Sequence, residues 1–415
     1  MNTNKKLLLK NTIFLYILTF SNYLFGLIIL PYETRVLGPE SFGILGFAAS
    51  FYTYFYVVLD FGFILFGTKL IAENSVDKNK LSCIVQSITC AKLILFAVLL
   101  LVFMIIGFNV TYLRTHIGTL MLYLCYACLT CLIPDYLYRG LENMKMITIR
   151  TVLVRFVFTC LIFIFLKHPD QYYLVPLFNI IGTIVALCWI IYDMHHNIGL
   201  RFQKMPFKDV TNVLKQAFPF FISRVAATIY SASNTIILGF VYPVGNMLGF
   251  YTSADKVRGL VSQAASPIAD SFYPYLLRTK DFRKMFRVTF LLEVLILLVC
   301  VVLWVYSEEF CVIVFGTEFR STADILRHMI PLMSIVLPSY MFGFPALTPI
   351  GKAKWANLSV EIALINQIIG MIVLFALGKI SAISLINLTF MSECISFIIR
   401  VVVFISGKNN SRVSI

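Results

Sequence analysis

Long apolar runs recur along the whole chain, separated by short polar segments. A helix needs about twenty consecutive apolar residues to cross the hydrocarbon core of a bilayer. Twelve stretches approach or exceed that length: 11–31, 41–67, 83–107, 117–138, 149–167, 172–193, 215–240, 248–273, 287–306, 322–346, 357–377 and 381–406. The pattern predicts an all-α polytopic membrane protein with about 12 transmembrane helices.

Composition supports this class and excludes others. Of 415 residues, 60% are hydrophobic and 13% are charged, whereas soluble domains carry about 25% charged residues. The formal net charge is +14, but there is no soluble basic domain, so we predict no nucleic-acid partner. The ten cysteines are scattered, which indicates no disulfide framework. Cys125, Cys128 and Cys131 lie in one apolar stretch with no fourth ligand nearby, so we predict no metal site.

Loop charges predict the orientation in the membrane. With the N-terminus placed in the cytoplasm, the segments on that side hold 22 Lys and Arg residues and the opposite loops hold five. Cytoplasmic loops of membrane proteins carry an excess of Lys and Arg. We therefore expect both termini in the cytoplasm of a multi-pass protein.

The polar segment 194–214 divides six predicted helices from six. A weak repeat supports the division: a proline followed by Gly-Phe-x-x-Ser occurs at Pro39…Ser50 and again at Pro243…Ser253. These features predict an N-terminal six-helix bundle at 1–193, a cytoplasmic linker at 194–214 and a C-terminal six-helix bundle at 215–415. We expect the bundles to surround a central cationic cleft.

Seven basic residues lie inside the apolar stretches. A cation at the bilayer centre costs roughly 2.5–3.5 kcal/mol, so seven unpaired ones would cost on the order of 20 kcal/mol. That exceeds the net stability of a typical domain, about 5–15 kcal/mol. We expect these cations to face acids or an internal aqueous cavity, which would suit an anionic passenger. They are Lys92, Arg155, Arg224, Lys256, Arg258, Arg327 and Arg400.

Four of these cations are predicted near the bilayer midplane. At about 1.5 Å per residue, Lys92, Arg224 and Arg258 lie roughly 14–15 Å into their helices, with Lys256 slightly shallower. Transporter sites commonly lie at this depth. We predict Arg224, Lys256, Arg258 and Lys92 as the substrate-binding residues.

Polar stripes predict the cavity wall. Arg224, Thr228, Ser231 and Thr235 step by four, three and four residues, which places them on one helix face. Asp255 belongs to a similar stripe on the next helix. An alternative interpretation is that both stripes only make interhelical hydrogen bonds. Asp255 and Arg258 are spaced to neutralise each other, which competes with a substrate role for Arg258.

Two acids are candidates for ion coupling. Glu293 and Glu393 lie deep in their helices, where a desolvated carboxyl can titrate; the competing interpretation is that each balances a cation. Asp60 is expected near the inner boundary, where solvation is cheap. Arg155 and Arg400 are close enough to a boundary to extend their head groups to water.

The sequence resembles the bacterial Wzx-type polysaccharide flippases. These belong, with multidrug exporters and the lipid II flippase, to one transporter superfamily. The resemblance is carried by Asp60-Phe61-Gly62-Phe63, by segments 67–69, 71–72, 251–257 and 273–274, and by the run Pro31-Tyr32-x-x-Arg35-Val36-Leu37-Gly38-Pro39-Glu40-x-Phe42-Gly43.

This resemblance implies a function. It implies a flippase, not an enzyme, that moves an undecaprenyl-diphosphate-linked oligosaccharide outward across the bacterial inner membrane by alternating access, for O-antigen or capsule synthesis. It suggests counterflow of H⁺ or Na⁺ as the driving force and no other cofactor. It also suggests a polysaccharide polymerase and a chain-length regulator as protein partners, beside the lipid-linked substrate and membrane lipids.

Two other functions remain open at this point. A multidrug/cation antiporter of the same superfamily would share the fold, but a cationic passenger calls for an acidic cavity. A membrane glycosyltransferase or polymerase usually needs an acidic catalytic motif or a large extracytoplasmic loop, and neither is visible.

Overall fold

The computed structural model describes residues 3–200, 206–243 and 245–412, and within these ranges all regular structure is helical. The helices are α1 Thr3–Asp60, α2 Phe63–Glu73, α3 Lys78–Asn109, α4 Thr111–Thr115, α5 Ile117–Leu132, α6 Asp135–Gly140, α7 Met144–Phe165, α8 Leu174–Asp193, α9 Phe207–Val241, α10 Met247–Thr279, α11 Phe282–Val305, α12 Ser307–Phe315, α13 Thr322–Met341, α14 Phe344–Leu347, α15 Ala353–Ala376 and α16 Ala382–Arg412.

The first two predicted segments form one kinked helix. Within α1 only Gly38 leaves the helical region, with φ 67° and ψ 173°. Pro39 follows directly and restarts the helix, because a proline in the first helical position lacks only an N–H that has no partner there. The loop expected after residue 31 is therefore helical up to this kink.

Each of the twelve predicted segments overlaps a helix. Nine stretches of the described chain are long and apolar enough to span a membrane, and the first of them, Ile13–Glu73, contains two predicted segments. Helices α9 and α10 are not among the nine. The all-α membrane class is confirmed, while the number of crossings stays a prediction.

Large apolar side chains cover the outward faces of these helices. Leu101 and Ile105 on α3 and Phe290 and Val301 on α11 are each more than half exposed. Apolar surface on this scale would be a liability in water, whereas in a bilayer it contacts lipid tails. The chain is a multi-pass membrane protein.

The chain divides into two compact units, Met1–Thr228 and Ile229–Ile415. The boundary lies inside α9. The predicted division into two six-helix bundles joined at 194–214 stays a prediction, and residues 201–205 of that linker lie outside the described residues.

In the first unit, α1 packs on α5 and α7, α2 on α6, and α8 on α5 and α7. A core forms around Phe63, Ile88, Tyr136 and Leu137, all almost fully buried. In the second unit, α13 packs on α10, α11 and α16, and α15 packs on α16. Both units place polar side chains between these packed helices.

Candidate functional site

A tight turn joins α1 to α2 and lies next to a cluster of charged side chains. Phe61 and Gly62 adopt positive φ values of 47° and 78°. A Cβ on Gly62 would lie 2.7 Å from the Cβ of Phe220 on α9. The rings of Phe61 and Phe221 stack with centroids 4.4 Å apart. Because only glycine tolerates both this backbone conformation and this approach, the Asp60-Phe61-Gly62-Phe63 motif lets α9 pack on the turn.

Asp60, the last residue of α1, is buried at 3% exposure. Nε of Arg224 lies 3.9 Å from its Oδ2, and the Arg224 side chain is 35% exposed. Oδ2 has no hydrogen-bond partner in the described structure, while the backbone N–H groups of Gly62 and Ile64 donate to the carboxylate. The prediction that Asp60 is solvated at the boundary is wrong; it is the acid beside Arg224.

Lys92 lies next to this pair and is also buried. Its Nζ donates to the Cys131 carbonyl at 2.5 Å and lies 5.1 Å and 5.8 Å from the ring centroids of Tyr136 and Phe63. Lys92 and Arg224 both interact electrostatically with Asp60. Two predicted cations thus surround one carboxylate, and the three groups carry a formal charge of +1.

The second unit holds a different charged cluster. Nε of Arg258 donates to Oδ1 of Asp255 at 2.7 Å, one turn earlier on α10. Both line a cavity of about 170 Å³ together with Glu393 of α16. Glu393 interacts electrostatically with Arg258. The pairing interpretation of Arg258 is therefore correct, and these three groups carry a formal charge of −1.

An amide and hydroxyl network forms one side of the same cavity. Asn234 donates to Thr389 at 2.9 Å, and Gln367 donates to Asn234 and Thr389 at 3.2 and 3.1 Å. Ser392 in turn donates to Gln367 at 3.1 Å. These bonds connect α9, α15 and α16. Sequence reasoning missed them, although an amide inside an apolar helix is itself a signal for such contacts.

The remaining predicted residues have different surroundings. Lys256 is exposed on α10 and does not line the Arg258 cavity. Thr228 is buried and donates to the Arg224 carbonyl at 2.9 Å, and Thr235 is also buried. The side chain of Ser231 lies outside the described residues. Glu293 lies on α11, where its buried Oε2 has no hydrogen-bond partner in the described structure.

Arg400 does not extend to water, so that prediction is wrong. Its side chain is 8% exposed. Nε donates to Ser359 at 2.8 Å, and Nη1 donates to the Ser339 carbonyl and hydroxyl at 2.7 and 3.0 Å. It lines a second cavity, of about 450 Å³. Arg155, by contrast, is exposed on α7.

An exposed ion cluster links α12 to α13. Nε of Arg320 donates to Glu308 at 3.0 Å, and Arg327 contacts Glu308 and Asp324 at 3.7 and 3.1 Å. The hydrogen bond from Arg320 is the main reason that the pKa of Glu308 lies below its usual range. Arg327 therefore serves as a partner of acids at the helix end.

A profile of the family described as "Polysaccharide biosynthesis protein" matches residues 8–280. The chain belongs to this family. The match begins in α1 and ends just after α10, so the Asp60–Arg224 cluster and the Arg258–Asp255 pair both lie within it.

Two curated relatives carry the name "Putative O-antigen transporter". The Escherichia coli (strain K12) protein is 29% identical over 283 residues, which cover 67% of each chain. The Shigella dysenteriae protein is 25% identical over 350 residues, covering 83% of this chain and 87% of the relative.

Solved structures share the fold. "Lipid II flippase MurJ, inward closed conformation" superposes with a TM-score of 0.67 at 14% identity, covering 97% of this chain and 91% of that one. An inward-facing multidrug resistance MATE family transporter of the MOP superfamily gives 0.65 at 14% identity, with 94% of each chain covered. The expected relation to polysaccharide transporters agrees with the profile match, and these two structures show the shared fold.

Proposed function

We propose that this protein is a flippase that moves a lipid-linked oligosaccharide from the cytoplasmic to the periplasmic leaflet of the bacterial inner membrane. The observation that carries the proposal is the family match over residues 8–280, in a membrane chain whose fold resembles a lipid II flippase. The relatives named for O-antigen transport support a glycan of the cell surface as the product.

We further propose undecaprenyl diphosphate as the carrier, with Arg224 as the principal contact of the diphosphate. A diphosphate cannot enter hydrocarbon unless protein groups replace its water. In the first unit Lys92 is bonded to the Cys131 carbonyl, whereas the Arg224 guanidinium is about one-third exposed. Of the two cations beside Asp60, Arg224 is therefore the one that a diphosphate can contact. Lys256, exposed on α10, is the second candidate.

Coupling to H⁺ or Na⁺ is proposed at Glu393. Arg258 is already satisfied by Asp255 at 2.7 Å, which leaves Glu393 as the additional acid in a cavity of about 170 Å³. This space is large enough for several waters or one hydrated ion. Glu293 does not line this cavity and is the weaker candidate. We propose that the protein works by alternating access, in which substrate movement and ion movement belong to one transport cycle.

The experiment compares a strain that lacks the gene with the same strain carrying wild-type or variant copies. We expect the deletion to remove surface polysaccharide while lipid-linked repeat units accumulate in the cells. Arg224→Ala should fail to restore the surface polymer, whereas Arg155→Ala, an exposed arginine of α7, should restore it. The level of each protein in the membrane is measured in parallel.

The outcome separates the proposal from its rivals. A glycosyltransferase would leave no complete repeat unit to accumulate, and a polymerase would leave single repeat units on the surface. A multidrug/cation antiporter would leave the polysaccharide intact. Wild-type surface polymer in the deletion strain, with no redundant flippase present, would overturn the proposal.

A further inference from the structure

The cavity beside Arg400 has no role in the proposed cycle so far. It measures about 450 Å³ and lies within the second unit, between α10, α13, α14 and α16. Its principal lining residues are Ser266, Asp270, Tyr273, Tyr340, Phe344 and Arg400. It is more than twice as large as the cavity at Arg258 and Glu393.

The charges of the lining residues are balanced. The Arg400 guanidinium donates to Ser359 and Ser339 and supplies one positive charge, because arginine stays protonated in proteins. Asp270 supplies one carboxylate, which accepts from Ser266 at 3.3 Å. A site for a diphosphate gathers several cations, whereas this one offers both strong donors and strong acceptors. That combination suits the hydroxyl groups of a neutral ligand.

Three aromatic side chains complete the wall. Tyr273 of α10, Tyr340 of α13 and Phe344 of α14 all line the cavity. Ligand pockets commonly combine apolar or aromatic walls with a few polar groups that fix orientation. A sugar ring presents an apolar C–H face for the aromatic rings and a rim of hydroxyls for Arg400 and Asp270.

We propose that this cavity binds a sugar residue of the transported oligosaccharide. The inference rests on the proposed flippase function and adds the sugar subsite to it. The lining residues Ser266 to Tyr273 lie in the second half of α10, ahead of the basic segment 278–287 that loop charges assign to the cytoplasm. The subsite is thus placed on the side from which the assembled repeat unit arrives.

Tyr340 gives the subsite a connection to the acidic cavity. Its side chain lines both cavities, and Ser262 of the smaller cavity is its hydrogen-bond partner. A sugar bound on one side of this ring therefore lies next to the space that contains Glu393. Occupancy of the sugar subsite is positioned to change the surroundings of the proposed coupling acid.

The test measures binding to the purified full-length protein in nanodiscs. The probes are the lipid-linked oligosaccharide extracted from the deletion strain, undecaprenyl diphosphate without sugar, and the free oligosaccharide released by mild acid. We expect wild-type protein to bind the glycosylated lipid at least tenfold more tightly than undecaprenyl diphosphate. Free oligosaccharide should compete with the glycosylated lipid.

Two variants remove sugar contacts, and a third variant serves as the control. Tyr273→Ala and Arg400→Lys should each reduce the tenfold preference to less than threefold while binding of undecaprenyl diphosphate stays within twofold. Tyr275→Ala, a tyrosine on the same helix that contacts Asp281 and Lys284 instead of the cavity, should keep the preference. Because Tyr273 is only partly buried, we expect Tyr273→Ala to fold. It therefore keeps the test valid even if Arg400→Lys fails to fold.

The results distinguish this inference from the flippase proposal. If both variants keep the full preference, or if they lose undecaprenyl diphosphate as well, the cavity does not bind sugar. If the wild-type protein binds both lipids equally, the sugar subsite fails and the flippase proposal stands. If it binds neither lipid, the flippase proposal fails and the subsite fails with it.

Discussion

The contact between Arg224 and Asp60 allows a direct test of whether Arg224 stabilises the buried carboxylate of the first unit. Arg224→Gln removes the cation and leaves the Asp60 carboxylate buried at 3% exposure. At 3.9 Å and an effective dielectric constant of about 20, the lost attraction is roughly 4 kcal/mol. Because Arg224 is about one-third exposed and Lys92 still faces the carboxylate, we expect a net destabilisation of about 1–3 kcal/mol.

A second substitution should reverse part of that loss. Asp60→Asn in the Arg224→Gln background removes the buried carboxylate charge, and its amide oxygen can still accept hydrogen bonds, but Lys92 then lies buried without a facing carboxylate. We therefore expect the thermal unfolding midpoint of the double variant to lie between those of Arg224→Gln and wild type, where about 1 kcal/mol moves the midpoint of a large domain by about 2–4 °C. Export should remain absent, because the guanidinium that binds the diphosphate is still missing.

Glu293 provides the matched control. Glu293→Gln in the Arg224→Gln background neutralises an acid on another helix and should restore neither stability nor export. If the double variant recovers none of the midpoint lost by Arg224→Gln, the two groups are not coupled as the distance indicates. If it recovers export as well as stability, Arg224 balances Asp60 and does not bind the substrate.

Three further substitutions follow from particular contacts. Arg400→Gln should destabilise the protein by about 2–4 kcal/mol, since it disrupts buried charge-assisted hydrogen bonds, whereas Arg155→Gln should change the unfolding midpoint little; equal midpoints would contradict the burial of Arg400. Gly62→Ala should cost more than about 1–2 kcal/mol because its φ is positive and its Cβ would lie 2.7 Å from a side chain on α9. Gly118→Ala, with open space around the added Cβ, should be neutral or slightly stabilising in the same unfolding assay. Glu393→Gln should abolish the response of proteoliposome transport to an imposed H⁺ or Na⁺ gradient, and a full response would remove this residue from the coupling proposal.

Apolar length predicted the helices well because the bilayer imposes it. A spanning segment must satisfy its backbone internally and present apolar side chains to lipid, and both demands appear in a single sequence. The sequence predicts two separate segments at 11–31 and 41–67, with Pro31 and Gly38 at and after the end of the first. The helix continues through that proline, and the break comes where a glycine adopts positive φ.

Charge placement was predicted less well because depth along a helix does not reveal which face is buried. Asp60 and Arg400 were both assigned to water from their distance to a boundary. In the structure Asp60 is enclosed by the turn that packs on α9, and Arg400 is held by Ser339 and Ser359 from two other helices. These partners are distant in sequence, so no spacing rule could have found them.

Three of the four predicted midplane cations have acidic partners in the structure. Lys92 and Arg224 surround Asp60 in the first unit, whereas Arg258 pairs with Asp255 in the second. The sequence spacing indicated Asp255 as the partner of Arg258 but did not place Asp60 beside Arg224. The positive excess lies in the first unit and the acidic cavity in the second, and the proposed roles in substrate binding and ion coupling follow that difference.

The central claim is that this protein moves a lipid-linked oligosaccharide across the membrane, and reconstituted transport tests it most directly. Purified protein is placed in liposomes that contain the lipid-linked oligosaccharide extracted from the deletion strain, labelled on its sugar. The fraction of label that an added glycosidase reaches from outside is followed with time. We expect wild-type protein to raise that fraction above the value for the accessible leaflet, and the Arg224→Gln/Asp60→Asn double variant to leave it at the protein-free level. A wild-type time course identical to that of protein-free liposomes, under an imposed H⁺ or Na⁺ gradient of either direction, would contradict the account.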